Sequence, residues 1–215
     1  MTSQPVNLDI FADPVCPWCL IGKAELDRAL ESRPDHPFHL TWHPFRLNPQ
    51  FPREGMDRGD YLRAKFGDRA RDVMVPVAER AATLGITLAP VLRQPDTTDA
   101  HRLMHWAGIE GAQSRVMSGL LKAHWQESRD IGDAEVLADI GARAGMDRDM
   151  LARLLAGDAD RDSLATRELH ARERGINSVP TFIIADRHAV SGAQPASLWQ
   201  KVIDELLSET VNGAG

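Results

Sequence analysis

Cysteine and tyrosine are scarce in this chain, which has two cysteines and one tyrosine among 215 residues. Two cysteines cannot form the disulfide framework of a small secreted domain, so a close pair is expected to be catalytic or metal-binding. Long apolar runs are also missing, and no stretch approaches the length of a membrane span. The short polar segment from Met1 to Asn7 shows no export signal. We therefore expect a cytoplasmic protein that does not enter a membrane.

A basic patch is likewise missing. The formal charge is -6, and acidic and basic residues are interleaved, which argues against nucleic acid or an anionic membrane surface as a partner. The sequence also has no glycine-rich phosphate loop, no nucleophilic serine elbow and no paired-carboxylate pattern. What remains is a globular protein long enough for one sizeable core.

The two cysteines lie three residues apart, in Cys16-Pro17-Trp18-Cys19, after a strand-like run and at the start of a predicted helix. A helix start leaves backbone N–H groups unpaired and carries the positive end of the helix dipole, so it stabilises a thiolate. Cys16 is therefore the expected nucleophile. Cys19, one turn further in, is expected to attack the mixed disulfide formed on Cys16 and release the partner.

Three neighbours are expected to tune this pair. Asp13 carries a negative charge that raises the pKa of a nearby thiol and so opposes the helix dipole, and the sequence does not decide which effect is larger. Pro17 and Trp18 separate the sulfurs. Trp18 is expected at the surface, where its ring covers apolar parts of a substrate polypeptide or shields Cys19.

The two ends of the chain have different patterns. Alternating apolar residues predict strands at Val6–Ala12 and Phe38–Leu47, and helical spacing predicts a helix over Cys19–Leu30 between them. Near the other end, strands are predicted at Thr181–Ala185 and Ala189–Ser191, followed by an amphipathic helix. The chain thus begins as a β-α-β unit and ends as a β-β-α unit.

Between these ends the apolar pattern has helical period. We therefore predict three parts, with boundaries at 1–50, 51–158 and 159–215. Helices are predicted to begin after caps at Asp133 and Asp147. Pro76 interrupts a longer pattern from Asp68 to Leu84, where a kinked helix and two shorter helices are equally expected.

The cysteine motif, together with Ser178-Val179-Pro180-Thr181-Phe182, resembles the DsbA family of thiol-disulfide oxidoreductases. The resemblance implies an α/β thioredoxin-like fold, β-α-β plus β-β-α, with a large all-α insertion. Within the family, the segments 13–23, 98–103 and 191–195 are similar to the FrnE-like branch. The resemblance further implies a cis peptide bond between Val179 and Pro180, with the backbone of Val179 receiving an extended substrate. His101 falls in one of the matching segments and is a candidate for lining the substrate cleft.

The implied function is dithiol-disulfide exchange or isomerisation on thiol- or disulfide-containing polypeptides. It needs no cofactor or metal beyond the redox-active disulfide, and glutathione or a thioredoxin-type protein is the expected exchange partner. The direction of electron flow and the oligomeric state stay open. Lys23, in the first helix, is expected to be solvated rather than catalytic.

Two alternatives stay open at this point. Thioredoxin-fold enzymes of the kappa-class glutathione transferase and chromene-carboxylate isomerase type act on small molecules with glutathione, but they generally have serine where this chain has Cys16. A non-catalytic module is the other alternative, either one that holds unfolded chains or one with zinc bound by the two cysteines together with His101 and His105, which lie on one helix face.

Overall fold

The chain folds as alternating strands and helices in the computed structural model, which describes residues 5–212. Residues 1–4, which carry most of the segment searched for an export signal, lie outside the described residues. The elements in chain order are β1 Val6–Ala12, α1 Pro17–Glu31, β2 Phe38–Pro44, β3 Met56–Asp57, α2 Arg58–Phe66, a 3-10 helix Gly67–Arg71, α3 Val75–Thr83, β4 Arg93–Gln94, α4 Thr98–Ile109, α5 Gln113–Trp125, α6 Ala134–Arg143, α7 Arg148–Ala156, α8 Arg161–Glu173, β5 Thr181–Ile184, β6 His188–Ser191 and α9 Ala196–Asn212.

A four-stranded sheet with the order β2-β1-β5-β6 forms the centre of the fold. The central strand β1 is parallel to β2, with Ile10 opposite Trp42, and antiparallel to β5, with Ile10 opposite Phe182. Phe182 packs edge-on against Trp199 of α9 at 4.7 Å between ring centroids, and α9 also packs against α1. Helix α8 contacts β2. The predicted thioredoxin-like α/β class with a helical insertion is confirmed.

The insertion is mostly helical, as predicted, and α6 and α7 begin at the two predicted capping residues. The Asp133 carboxylate accepts hydrogen bonds from the backbone N–H groups of Glu135 and Val136, and Asp147 caps α7 in the same way. Pro76 lies in the first turn of α3, after a separate 3-10 helix, so the pattern around it resolves into two shorter elements. The insertion also contains a ribbon of β3 and β4, two residues per strand, that the helical pattern did not predict.

Most of the insertion shares one hydrophobic core with the sheet and the cysteines, and α3 packs on Ile21 of α1 in a second, smaller cluster. Trp125 of α5 is 1% exposed, and its indole N–H donates to the Pro14 carbonyl at 2.9 Å, directly beside the cysteine motif. Gln113 covers the outer edge of β2, because its side-chain amide exchanges hydrogen bonds with the backbone N–H and C=O of Trp42, both at 3.0 Å. This amide replaces the strand that an exposed edge would otherwise recruit. The boundaries at 51 and 158 stay a prediction.

Across residues 5–212, none of the helices combines the length and the apolar composition needed to cross a membrane. Four tryptophans are buried in the core, namely Trp42, Trp106, Trp125 and Trp199.

Candidate active site

Cys16 caps the N-terminus of α1. Its backbone is extended, with φ -85° and ψ 117°, and Pro17 occupies the first turn, where a missing N–H costs nothing. The Cys16 carbonyl accepts from the backbone N–H of Cys19 at 3.0 Å, while the Cys16 N–H donates to the Asp13 carbonyl at 2.9 Å. The turn therefore holds both sulfurs at the start of α1, as the sequence predicted.

Both cysteines are free thiols with little exposure, 5% for Cys16 and 2% for Cys19. The pKa of Cys16 is lowered, chiefly because the Cys19 side chain donates a hydrogen bond to it, with backbone N–H groups of Cys19 and Trp18 adding to the effect against burial and the Asp13 charge. The pKa of Cys19 is raised well above the ordinary value, chiefly because burial disfavours its thiolate. At Cys16 the hydrogen-bond donors together outweigh burial and the Asp13 charge, so the pKa falls although Asp13 opposes it.

The peptide bond between Val179 and Pro180 is cis and lies against the cysteines. The Cys16 thiol donates to the Val179 carbonyl, with 3.6 Å between sulfur and oxygen. Gly22 of α1 lets this segment approach the helix, because a Cβ built on it would stand 3.0 Å from the Pro180 side chain. The structure thus brings Val179 and Pro180, 163 residues away in sequence, to the nucleophile.

Trp18 lies between the two cysteines with 39% of its surface exposed. It is one of few large apolar side chains that the structure leaves accessible, and it lies within two residues of Cys16 along the chain. A substrate approaching the Cys16 sulfur would meet this ring.

Asp13 is 1% exposed and lies beneath the cysteine loop. One carboxylate oxygen accepts from the backbone N–H of Leu47 at 2.8 Å, and the other accepts a longer bond of 3.4 Å from Val15. The carboxylate therefore ties the loop to the segment after β2, and its charge acts on both thiols. The Leu47 contact has no signature in sequence, since it depends on where the chain passes after β2.

His101 does not line an open cleft. It is 2% exposed, and its Nε2 atom lies 3.6 Å from an Asp13 oxygen. Helix α4 places this side chain in the core behind Asp13, so a substrate bound at Cys16 and Val179 cannot reach it. The placement makes His101 a buried neighbour of the site rather than a substrate contact.

His105 points away from the cysteines, although it shares a helix with His101. Its Nδ1 atom accepts from Arg167 of α8 at 3.1 Å, and its Nε2 atom lies 3.9 Å from Asp160. Within the part of the chain that the structure describes, no three histidine, cysteine or carboxylate side chains converge as metal ligands. The zinc alternative therefore finds no support in the geometry.

Lys23 is not solvated, contrary to the prediction. It is 5% exposed, its ammonium pairs with Asp27 at 2.6 Å, and it lies 5.8 Å from the centre of the Trp42 ring. The aromatic ring and the carboxylate one helical turn away replace the water that a buried ammonium loses. The sequence prediction included neither the Asp27 partner nor the approach of Lys23 to the Trp42 ring.

The profile of the DSBA-like thioredoxin domain matches residues 7–204. This chain belongs to the DsbA-like family. A curated relative, the uncharacterised protein YwbO of Bacillus subtilis, is 27% identical over 93% of this chain and 96% of its own. The crystal structure of a probable DsbA oxidoreductase from Streptomyces coelicolor is similar, with 26% identity, a TM-score of 0.84, and coverage of 95% of this chain and 91% of its own.

More distant structures share the fold alone. The cytosolic disulfide reductase DsbM from Pseudomonas aeruginosa, solved with glutathione, is 19% identical with a TM-score of 0.69, covering 94% of this chain and 99% of its own. A 2-hydroxychromene-2-carboxylate isomerase is 16% identical with a TM-score of 0.72, and the match covers 96% of this chain and 98% of its own. The fold therefore does not choose between disulfide exchange and small-molecule isomerisation. The narrower FrnE-like assignment stays a prediction.

Proposed function

We propose that this DsbA-like protein is a cytoplasmic dithiol-disulfide oxidoreductase that acts on polypeptides through Cys16 and Cys19. The observation that carries the proposal is the position of the Cys16 sulfur, which lies at the start of α1 and 3.6 Å from the Val179 carbonyl oxygen. A thiol of lowered pKa at that place supplies the thiolate that exchange requires.

In the first step, the Cys16 thiolate attacks one sulfur of a substrate disulfide. A bond forms between Cys16 and the substrate, the substrate S–S bond breaks, and the leaving sulfur departs as a thiolate that takes a proton from water. Cys19 then loses its proton and attacks the Cys16 sulfur, which releases the second substrate sulfur as a thiolate. The protein ends as the Cys16–Cys19 disulfide, and two electrons have passed to the substrate. The reverse sequence oxidises a substrate dithiol.

The segment around Val179 and Pro180, together with Trp18, would recognise the substrate polypeptide. An extended substrate backbone would lie along Val179, where Pro180 has no N–H that competes beside the sulfur. The exposed ring of Trp18 would cover apolar substrate side chains. Two molecules of glutathione, or a thioredoxin-type dithiol, would return the Cys16–Cys19 disulfide to thiols and be oxidised in turn.

The test is a thiol-alkylation titration of the purified protein across glutathione redox buffers, with wild type and Cys16→Ser compared. We expect a reversible two-electron transition in the wild type and none in the variant. Its midpoint reports whether the pair acts as an oxidant or as a reductant toward glutathione. Disulfide exchange at the wild-type rate in Cys16→Ser would overturn the mechanism.

The second candidate is a glutathione-dependent isomerase or transferase acting on a small molecule, with which the fold is equally compatible. Cys16 argues against it, because that class generally has serine there. The two candidates differ at Cys19, which only disulfide exchange needs as a resolving thiol. Turnover of a small-molecule substrate with glutathione that continues unchanged in Cys19→Ala would favour the isomerase.

A further inference from the structure

A cavity of about 440 Å³ lies between the sheet and α8, away from the cysteines. Residues of β1, β2, β5 and α8 line it, and neither cysteine nor Trp18, Val179 or Pro180 is among them. The volume falls within the range of about 300–1,000 Å³ that is usual for small-molecule sites.

The floor of the cavity is apolar on one side and carries a hydrogen-bonded histidine and aspartate on the other. Phe11 and Ile183 provide the apolar side. Phe11 also stacks on His43, with ring centroids 4.8 Å apart, and the Nε2 atom of His43 lies 2.6 Å from an oxygen of Asp9. The Asp9 carboxylate thus already has a hydrogen-bond partner inside the cavity.

Arg167, also in the wall of the cavity, is hydrogen-bonded to an imidazole rather than to a carboxylate. Its guanidinium is half-buried, and burial lowers its pKa. Its partner is Nδ1 of His105, at 3.1 Å, and because a guanidinium only donates, that nitrogen must be unprotonated and cannot neutralise the charge. Among the residues that the structure describes, no carboxylate lies within ion-pair distance of Arg167. A half-buried guanidinium facing a cavity favours a carboxylate ligand.

The rim adds polar side chains of both signs. Arg174 and His170 of α8 stand at the opening together with Asp186, which follows β5, and all three are exposed. Their charges are screened by solvent, so they contribute little to selectivity compared with the half-buried Arg167. The combination of an apolar floor and the half-buried Arg167, which has an imidazole partner rather than a carboxylate, therefore decides the ligand chemistry.

We propose that this cavity binds a small organic carboxylate, whose apolar body rests on Phe11 and Ile183 and whose carboxylate pairs with Arg167. The site is independent of the thiol chemistry at Cys16. Inorganic anions would gain the charge interaction but not the apolar contacts, and uncharged analogues would gain the contacts but not the charge interaction.

Isothermal titration calorimetry of the full chain with benzoate, benzamide and inorganic phosphate tests the proposal. We expect saturable benzoate binding, at least about tenfold weaker binding of benzamide, and no displacement of benzoate by equimolar phosphate. Equal affinity for benzoate and benzamide, displacement by phosphate, or no benzoate binding would each overturn it.

Substitutions in the lining of the cavity test whether benzoate binds there. Arg167→Gln should weaken benzoate binding at least about tenfold, whereas Arg153→Gln, which removes an exposed cation from α7, should bind as the wild type does. Thr166→Trp fills the cavity from an exposed position on α8, so it tests the site without disturbing the core, and it should abolish binding. Wild-type affinity in both Arg167→Gln and Thr166→Trp would locate benzoate elsewhere and refute the assignment.

Discussion

Cys16 and Cys19 are nearly equally buried, yet their surroundings act on the two thiols in opposite directions. Cys16 lies where α1 begins and receives hydrogen bonds from the Cys19 side chain and from backbone N–H groups, and its pKa falls. Cys19 lies one turn further in, where burial, followed by its hydrogen bond to Cys16, outweighs a backbone hydrogen bond at Asp13, and its pKa rises. At nearly equal exposure, the two thiols differ because Cys16 accepts the hydrogen bond that Cys19 donates, which lowers the pKa of Cys16 and adds to the effect of burial on Cys19.

Replacing Cys19 should have the largest effect on this comparison. Cys19→Ala removes both the resolving thiol and the main donor to Cys16, so the Cys16 pKa should rise and the reaction should stop at the mixed disulfide. Thiolate absorbance against pH measures the first effect, and mass spectrometry after reaction with a disulfide-bonded peptide measures the second. Nearly complete trapping of the peptide is expected.

Cys19→Ser sharpens the same test, because its hydroxyl can still donate to Cys16 while it cannot resolve a disulfide. It should trap the peptide as Cys19→Ala does, but with a smaller rise in the Cys16 pKa. Equal Cys16 pKa values in the two variants would show that the Cys19 side chain is not the donor that matters.

Removing the Asp13 charge should shift the pKa values of both thiols in the same direction. Asp13→Asn keeps a carbonyl oxygen for the Leu47 N–H but removes a negative charge that raises both cysteine pKa values. Both pKa values should fall, and Cys16 should be alkylated several-fold faster below its wild-type pKa. Because the reduced form is then stabilised, the glutathione titration should give a more oxidising pair. Asp35→Asn, at an exposed position, is the control and should change neither quantity.

How much of this site the sequence could predict depends on the range of the contacts. The start of α1 at Cys16 follows from local signals, namely the break at Asp13-Pro14 and the proline in the first turn. The approach of Val179 came from family resemblance, because a contact across 163 residues has no local pattern. Asp13 was recognised as a charge near the thiols, whereas its bond to Leu47 required the fold.

The distinction between local and long-range contacts also explains the predictions that were wrong. Helical spacing put His101 and His105 on one face of α4, but a face of a buried helix has several neighbours, and the two side chains reach Asp13 and Arg167 respectively. Lys23 was expected in solvent because lysine is rarely buried without a partner. Its partner Asp27 lies in the same helix, but the Trp42 ring that also contacts it lies in β2. The ribbon of β3 and β4 is too short to show any alternation.

Trp125 links the insertion to the cysteine loop, and its loss should destabilise the protein without reversing the acidity of the two thiols. Trp125→Phe leaves the buried Pro14 carbonyl without the indole N–H donor that now lies 2.9 Å away. An unsatisfied buried acceptor costs about 1–3 kcal/mol of unfolding free energy. Denaturant unfolding measures that loss. The Cys16 pKa should keep its wild-type value, and a change in it would show that the insertion sets thiol acidity.

His124 should affect stability only in acid. It is fully buried, and burial, followed by the Arg58 charge, lowers its pKa from 6.5 to about 3, against the opposing charge of Asp13. The folded protein therefore keeps His124 neutral while the unfolded chain binds a proton below pH 6.5, so the unfolding free energy falls by up to about 1.4 kcal/mol per pH unit from this group alone.

This contribution is fully present above pH 6.5 and is lost as the pH falls toward 3. In His124→Phe, denaturant unfolding at a series of pH values below 6.5 should show a shallower loss of stability than in the wild type. His39→Gln, which replaces an exposed histidine, should keep the wild-type slope. An unchanged slope in His124→Phe would mean that this imidazole is protonated in the folded protein, and the interior behind Asp13 would then be more polar than the region around Cys19.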